Sequence, residues 1–239
     1  MAIISNTVNY LDGGTLLQAF FAYDDTFEGR RPAVLISHAW GGRDDFVNNK
    51  AIQLAELGYV AFALDMYGQG VLGANPEENA ALMQPFIDDR QLLQQRINAA
   101  FYAVRLLPWV DDSKIAAIGF CFGGLCVLDL ARMGADIKGV VSFHGLLNVP
   151  ENLANKPVQA KILALHGHDD PMATDDMVSA FCQEMTDLKV DWQLHQYGNT
   201  VHAFTNPNAN SPELGTVYKD IAKQRSWQSM QNFLAEVLA

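Results

Sequence analysis

Short apolar runs alternate with helical stretches along most of the chain, and few folds accommodate that order. Runs of strand length fall at 15–22, 33–37, 59–64, 115–119, 139–143, 161–165 and 191–196. Helical patterns fall at about 46–57, 88–107, 122–133, 174–187 and 216–238, with Gly58 and Pro108 as stops. A run such as Ala33-Val34-Leu35-Ile36 is apolar at every position, as a strand buried on both faces would be. The prediction is an α/β fold in three layers, a mostly parallel twisted sheet with helices on both faces. The turn Asp12-Gly13-Gly14 predicts a hairpin at the start. Residues 66–80, rich in glycine, read as loop, as does the stretch through Pro150 and Pro157. No repeat or linker tract interrupts the 239 residues, so a single domain over 1–239 is expected.

Charge and cysteine usage narrow the function classes. A formal net charge of -11 disfavours nucleic acid and anionic lipid as partners. No apolar run is long enough to span a bilayer, and the N-terminal stretch lacks the basic and apolar regions of a secretory leader. The three cysteines are odd in number and widely spaced, which gives no disulfide framework. A cytoplasmic protein with reduced thiols, monomer or homodimer, is expected.

The chemistry is signalled by Gly119-Phe120-Cys121-Phe122-Gly123-Gly124, between a strand and a helical stretch. A sharp strand-to-helix turn strains its central residue and brings the positions two before and two after too close for side chains. Gly119 and Gly123 stand at those two positions. Cys121 would then sit at a helix N-terminus, where free N–H groups lower a thiol pKa, and the Phe122 N–H is an oxyanion donor. Cys126 and Cys182 lack that setting and read as packing residues.

Acid and base follow in the chain order nucleophile, acid, histidine. The run 161–165 leads into His166-Gly167-His168-Asp169-Asp170-Pro171, where Asp170 is the expected acid and Asp169 the alternative. His166-x-His168 offers metal-ligand types, but no third ligand stands at motif spacing. The run 191–196 leads to His202, the expected general base, in a loop before the last helix. The loop after 33–37, His38-Ala39-Trp40-Gly41-Gly42-Arg43, is where a second oxyanion N–H is expected, with Ala39 its candidate. His38, Trp40, His144 and Phe204 are the candidate pocket residues.

Together G-F-C-F-G-G, H-G-H-D-D-P and H-A-F resemble the dienelactone hydrolase family, over nearly the whole chain from about Thr15. The resemblance implies a compact α/β-hydrolase with little or no cap. It also implies a Cys121–His202–Asp170 triad, oxyanion donors at Phe122 and Ala39, and no metal or organic cofactor. The expected activity is hydrolysis of a small carboxylic ester or lactone. Two departures stand out. Family members carry a glutamate where this chain has His38, and an imidazole there could act as donor or second base. They also grip the lactone carboxylate with arginines, one shortly after the catalytic histidine. Here Ala203-Phe204-Thr205-Asn206-Pro207 follows His202, leaving only Arg43 and Arg90 near enough in sequence. A less charged substrate than dienelactone is therefore expected. A thiol-based sensor or ligand-binding module on a hydrolase scaffold is the alternative, though neither needs an acid and a base in triad order.

Overall fold

The computed structural model describes residues 2–151 and 157–239. The middle of the loop expected through Pro150 and Pro157, residues 152–156, lies outside the described residues. The chain begins with a hairpin of β1 (Ile3–Asp12) and β2 (Thr15–Asp24), paired end to end from Ile3–Asp24 to Asp12–Thr15. β3 (Arg31–Ser37), β4 (Val60–Ala63), β5 (Val110–Phe120), β6 (Gly139–Phe143), β7 (Lys161–Gly167) and β8 (Trp192–Tyr197) complete an eight-stranded sheet in the order β1-β2-β4-β3-β5-β6-β7-β8. From β4 to β8 every pairing is parallel, while β2 meets β4 antiparallel.

Side-chain alternation along these strands separates two cores. Val34, Ile36, Ala61, Ile118, Val141 and Leu163 face α1 (Asp45–Glu56) and α6 (Asp220–Val237). Their neighbours Ala33, Leu35, Phe62, Ala117, Val140 and Ile162 face α3 (Arg90–Arg105), α4 (Phe122–Arg132) and α5 (Asp175–Asp187). Both faces of the parallel strands are thus covered, as their uninterrupted apolar runs require. Among the described residues no helix is long and apolar enough to cross a membrane.

Three elements differ from expectation. The glycine-rich loop ends earlier than 80, because α2 (Pro76–Asp88) starts at Pro76. Asn75 caps it by accepting the Glu78 N–H at 2.9 Å, and Pro at the first helical position needs no N–H partner. The single helix expected from about 88 therefore starts at Arg90, after Asp89, whose carboxylate accepts the Leu92 N–H at 3.0 Å. The last helix starts at Asp220 rather than 216, because Thr216–Val217 forms a short strand, β10, paired with β9 (Asn210–Ser211).

α4 is the most buried helix, with Phe122 through Arg132 all buried. Its far end carries an ionic cluster: Arg90 binds Asp129 at 2.6 Å, and Arg132, inaccessible to solvent, binds Glu184 at 2.7 Å. Both arginines also donate to the carbonyl of Asn148, tying down the chain that leaves β6. Buried charges paired and bonded this fully hold position without exposing an unpaired ion.

Candidate active site

The parallel strands deliver their C-terminal ends to one edge of the sheet, and the candidate residues lie just beyond those ends. Cys121 follows β5 with φ 54 and ψ -117, a conformation rarely adopted by a residue with a side chain. The close approach that strains it also excludes side chains beside it. A Cβ at Gly119 would lie 2.0 Å from the Gly123 carbonyl oxygen, and one at Gly123 would lie 2.2 Å from the Ser37 carbonyl oxygen. These neighbours are backbone atoms and cannot rotate aside. Gly123→Ala is therefore expected to destabilise the fold by about 3 kcal/mol, the upper range for overpacking. Urea unfolding of the purified variant reads this directly, and an unchanged midpoint would refute it.

His202 is held by backbone on both sides. Its N–H donates to Gly215 O at 2.9 Å, and its carbonyl accepts from the Val217 N–H at 3.2 Å. The short β10 strand, which sequence reading merged into the last helix, thus carries the histidine. Gly215, at φ 65, packs its backbone on Pro171, where a Cβ would meet the ring at 2.3 Å. Gly167 lies equally close under the carbonyls of Thr200 and Val201. The acid turn and the histidine loop are therefore packed together as one unit.

The two aspartates divide the work of that unit. Asp170 Oδ2 accepts from His202 Nδ1 at 2.7 Å, and Oδ1 accepts the Met172 N–H at 2.8 Å. Asp169 exchanges bonds with the backbone of Thr200, its Oδ2 accepting the Thr200 N–H at 3.0 Å. The second acid of H-G-H-D-D-P meets the imidazole and the first fastens the loop.

His202 Nε2 is buried and makes no hydrogen bond of its own. The ring and the Cys121 thiol act on each other chiefly through charge attraction. Burial alone would push the imidazole pKa down, but Cys121 and Asp170 outweigh it and raise it to about 10. Burial alone would likewise raise the thiol, and the His202 charge brings it below its ordinary value. Both shifts favour a thiolate–imidazolium pair.

Hydrogen bonding from the backbone of Phe122 and of Trp40 adds to the lowering of the thiol pKa. Phe122 was expected. Ala39 was expected as the second oxyanion donor; in that loop it is the Trp40 backbone that acts on the thiol. The Ala39 carbonyl is folded back onto His38 Nδ1 at 2.7 Å and the Gly42 N–H at 3.2 Å, which fixes the plane of the peptide that carries the Trp40 N–H.

The other candidate pocket residues are mostly interior. His38 is fully buried, and its Nε2 accepts the Met66 N–H at 3.1 Å, so its lone pair is not open to act as a second base. His144, at φ 39, sets its ring edge-on to His202 at 5.1 Å and bonds Thr205 Oγ1 at 2.7 Å. Burial holds its pKa far below the ordinary value, with repulsion from His202 and His166 adding to this, so it stays neutral beside the charged ring. Phe204 is a correction: it is completely buried, stacked edge-on against His144 and Tyr197, and lines no open surface. Trp40 alone of the four is partly exposed.

Sequence reading missed Asp65 and Tyr67, which follow β4 at the same sheet edge. Asp65 accepts the N–H groups of Gln18, Tyr67, Gly68 and Gly70 at 2.9–3.0 Å, and the Tyr67 hydroxyl donates to Trp40 O at 2.7 Å. Their place just past a strand end was the available signal. Both arginines near the site are engaged: Arg90 with Asp129 and Asn148, Arg43 with Gln18 and Asn48. Among the described residues no three His, Cys, Asp or Glu side chains are gathered as a metal site would need.

Comparison with known proteins agrees with this architecture. The family model described as the dienelactone hydrolase family matches residues 17–238. A solved structure of a dienelactone hydrolase-like promiscuous phosphotriesterase from metagenomic libraries superposes with a TM-score of 0.94 at 37% identity, covering 100% of both chains. An uncharacterised Caenorhabditis elegans protein is 37% identical over 150 residues, which is 62% of this chain and 95% of that protein. A Bradyrhizobium protein named as a probable 2-oxo-3-(5-oxofuran-2-ylidene)propanoate lactonase is 28% identical, covering 98% of this chain and 96% of its own.

Proposed function

The chain belongs to the dienelactone hydrolase family, and we propose that it hydrolyses a small carboxylic ester or lactone through Cys121, His202 and Asp170. The observation that carries this reading is the bond from His202 Nδ1 to Asp170 Oδ2 at 2.7 Å, which leaves the other ring nitrogen for the Cys121 thiol, whose charge raises the His202 pKa. In this reading the thiolate attacks the carbonyl carbon, a C–S bond forms, and the carbonyl oxygen takes the negative charge. The N–H groups of Phe122 and Trp40 stabilise that charge. The charge collapses, the C–O bond to the alcohol breaks, and the His202 imidazolium gives its proton to the departing oxygen. In a lactone the alcohol stays attached to the acyl group. His202, now neutral, takes a proton from water as it attacks the thioester, and the thiolate leaves to re-form the pair. Asp170 keeps Nδ1 protonated throughout and so fixes which nitrogen handles the proton.

The substrate proposed is less charged than dienelactone. A carboxylate clamp needs a guanidinium with free donors in fork geometry. Arg90 is committed to a buried carboxylate 39 residues away. Arg43 is braced by a backbone carbonyl and two side-chain amides. Neutral alkyl esters and unsubstituted lactones fit this site better.

Stopped-flow mixing with p-nitrophenyl acetate is expected to give a burst of one p-nitrophenolate per chain, because a thioester intermediate accumulates. Alkylation of Cys121 by iodoacetamide is expected to remove burst and turnover together. Turnover that survives complete alkylation would overturn the reading. So would an alkylatable Cys121 in a protein that turns over no ester or lactone, which is the behaviour of a thiol sensor.

A further inference from the structure

We propose that His38, seconded by Tyr67, is a positioning residue that aims the Trp40 N–H at the anion formed beside Cys121; this rests on the hydrolytic reading above. The two N–H groups at the sulphur differ in how they are held. That of Phe122 belongs to the first residue of α4 and is fixed by the helix. That of Trp40 lies in a turn held by one backbone bond, from the Gly42 N–H to the Ala39 carbonyl at 3.2 Å, so its direction depends on side chains as well.

A trans peptide is planar, and its C=O and N–H point in opposite directions. Whatever fixes the Ala39 carbonyl therefore fixes the Trp40 N–H. His38 Nδ1 lies 2.7 Å from the Ala39 carbonyl oxygen, which only accepts, so Nδ1 carries the proton. Its Nε2 lies 3.1 Å from the Met66 N–H, which only donates, so Nε2 carries the lone pair. One tautomer satisfies both contacts, and it is neutral. Burial lowers the His38 pKa to about 4, against the opposing pull of its bond to Ala39 and of Asp65.

Tyr67 pins the next peptide. Its hydroxyl donates to Trp40 O at 2.7 Å, and its own N–H is held by Asp65 Oδ1 at 2.9 Å. Its ring stacks on Phe122 at 6.1 Å and meets His38 edge-on at 4.8 Å. Both peptides flanking the Trp40 Cα are therefore anchored, and the anchors touch the side chain that follows Cys121. A donor held this way costs no reorganisation when charge develops.

Two amide variants separate the nitrogens. In His38→Asn the amide nitrogen can stand where Nδ1 stands and keep the bond to Ala39. In His38→Gln the amide reaches the place of Nε2 and the Ala39 bond is lost. The Gln variant is expected to lose about 10²-fold in kcat on p-nitrophenyl acetate with KM changed less than about threefold, the mark of an interaction made in the transition state. The Asn variant is expected to recover at least about tenfold of that loss. The iodoacetamide pH profile needs no turnover: its midpoint should rise in the Gln variant and rise less in the Asn variant. A wild type that alkylates but hydrolyses nothing would sink the hydrolytic reading while this profile still scores the brace. Equal impairment of the two variants, or an unmoved midpoint in the Gln variant, would overturn the proposal. If the Gln variant fails to fold, Tyr67→Phe, which removes one oxygen, is expected to lower kcat by about tenfold and raise the midpoint; wild-type values for both would overturn it.

Discussion

Cys121→Ala is expected to lower kcat/KM for a small aryl ester by about 10⁴- to 10⁶-fold, the loss seen when a covalent nucleophile is deleted. The fold should tolerate the change. Alanine at φ 54 carries the same Cβ as cysteine and meets the same backbone, so the strain at the elbow is unaltered. What changes is electrostatic. The His202 imidazolium loses the charge partner that most raises its pKa, and burial, which opposes that charge, then weighs more heavily. The variant should therefore melt close to the wild type, bind ester without a burst, and show His202 titrating well below its wild-type value by NMR. Residual catalysis above the buffer rate is expected, because the N–H groups of Phe122 and Trp40 remain in place. Hydrolysis within about tenfold of wild type would mean that the acyl group is never carried on sulphur.

The features legible in the sequence were those enforced by backbone contact or by period. Gly119 and Gly123 could be read because their places are dictated by carbonyl oxygens at 2.0 and 2.2 Å from any added Cβ. The parallel strands could be read because burial on both faces leaves an uninterrupted apolar run, as in Ala33–Ile36. β1 was less visible, since its outer face is exposed and its sequence Ile-Ile-Ser-Asn-Thr-Val-Asn-Tyr mixes polar and apolar residues. α2 was lost in a glycine-rich stretch although Asn75-Pro76 is a helix-start signal, because the glycines before it dominated the reading.

Cys121, Asp170 and His202 were legible as single residues, whereas the loop after β3 was legible only to the level of the strand end. Each candidate loop was found, but which peptide faces the sulphur depends on how the loop turns after Ser37. That turn is set by His38 bonding across to Met66 and by Tyr67 bonding back to Trp40, contacts 28 and 27 residues apart in sequence. No periodicity encodes such pairs, so the orientation of each peptide in that loop was not legible. Phe204 misled for a related reason. It was a candidate for the pocket, yet the bridge between His202 and Thr216 and the left-handed turn at Ala203, φ 56, send the phenyl ring inward to Tyr197.

His202→Gln is expected to act on both halves of the pair at once. With no imidazole to move the proton, kcat should fall by about 10³- to 10⁴-fold. The second effect is on the thiol. Burial is the largest influence on Cys121 and raises its pKa; the His202 charge, with hydrogen bonds from His202, Phe122 and Trp40, reverses that direction. Without the charge the thiol should return upward, so iodoacetamide reaction at neutral pH should slow. The sign with pH follows from the same two groups. In the wild type, kcat/KM, which reads acylation of the free enzyme, should drop as pH falls through the lowered thiol value, because the nucleophile is protonated. It should drop again as pH rises through about 10, where His202 gives up the proton the leaving oxygen needs. The Gln variant should lose that alkaline limb and shift the acid limb upward. Adding His202→Gln to Cys121→Ala should cost almost nothing more, since the two side chains work as one unit. An alkylation profile for the Gln variant that overlays the wild type would show that the charge of His202 never reaches the sulphur.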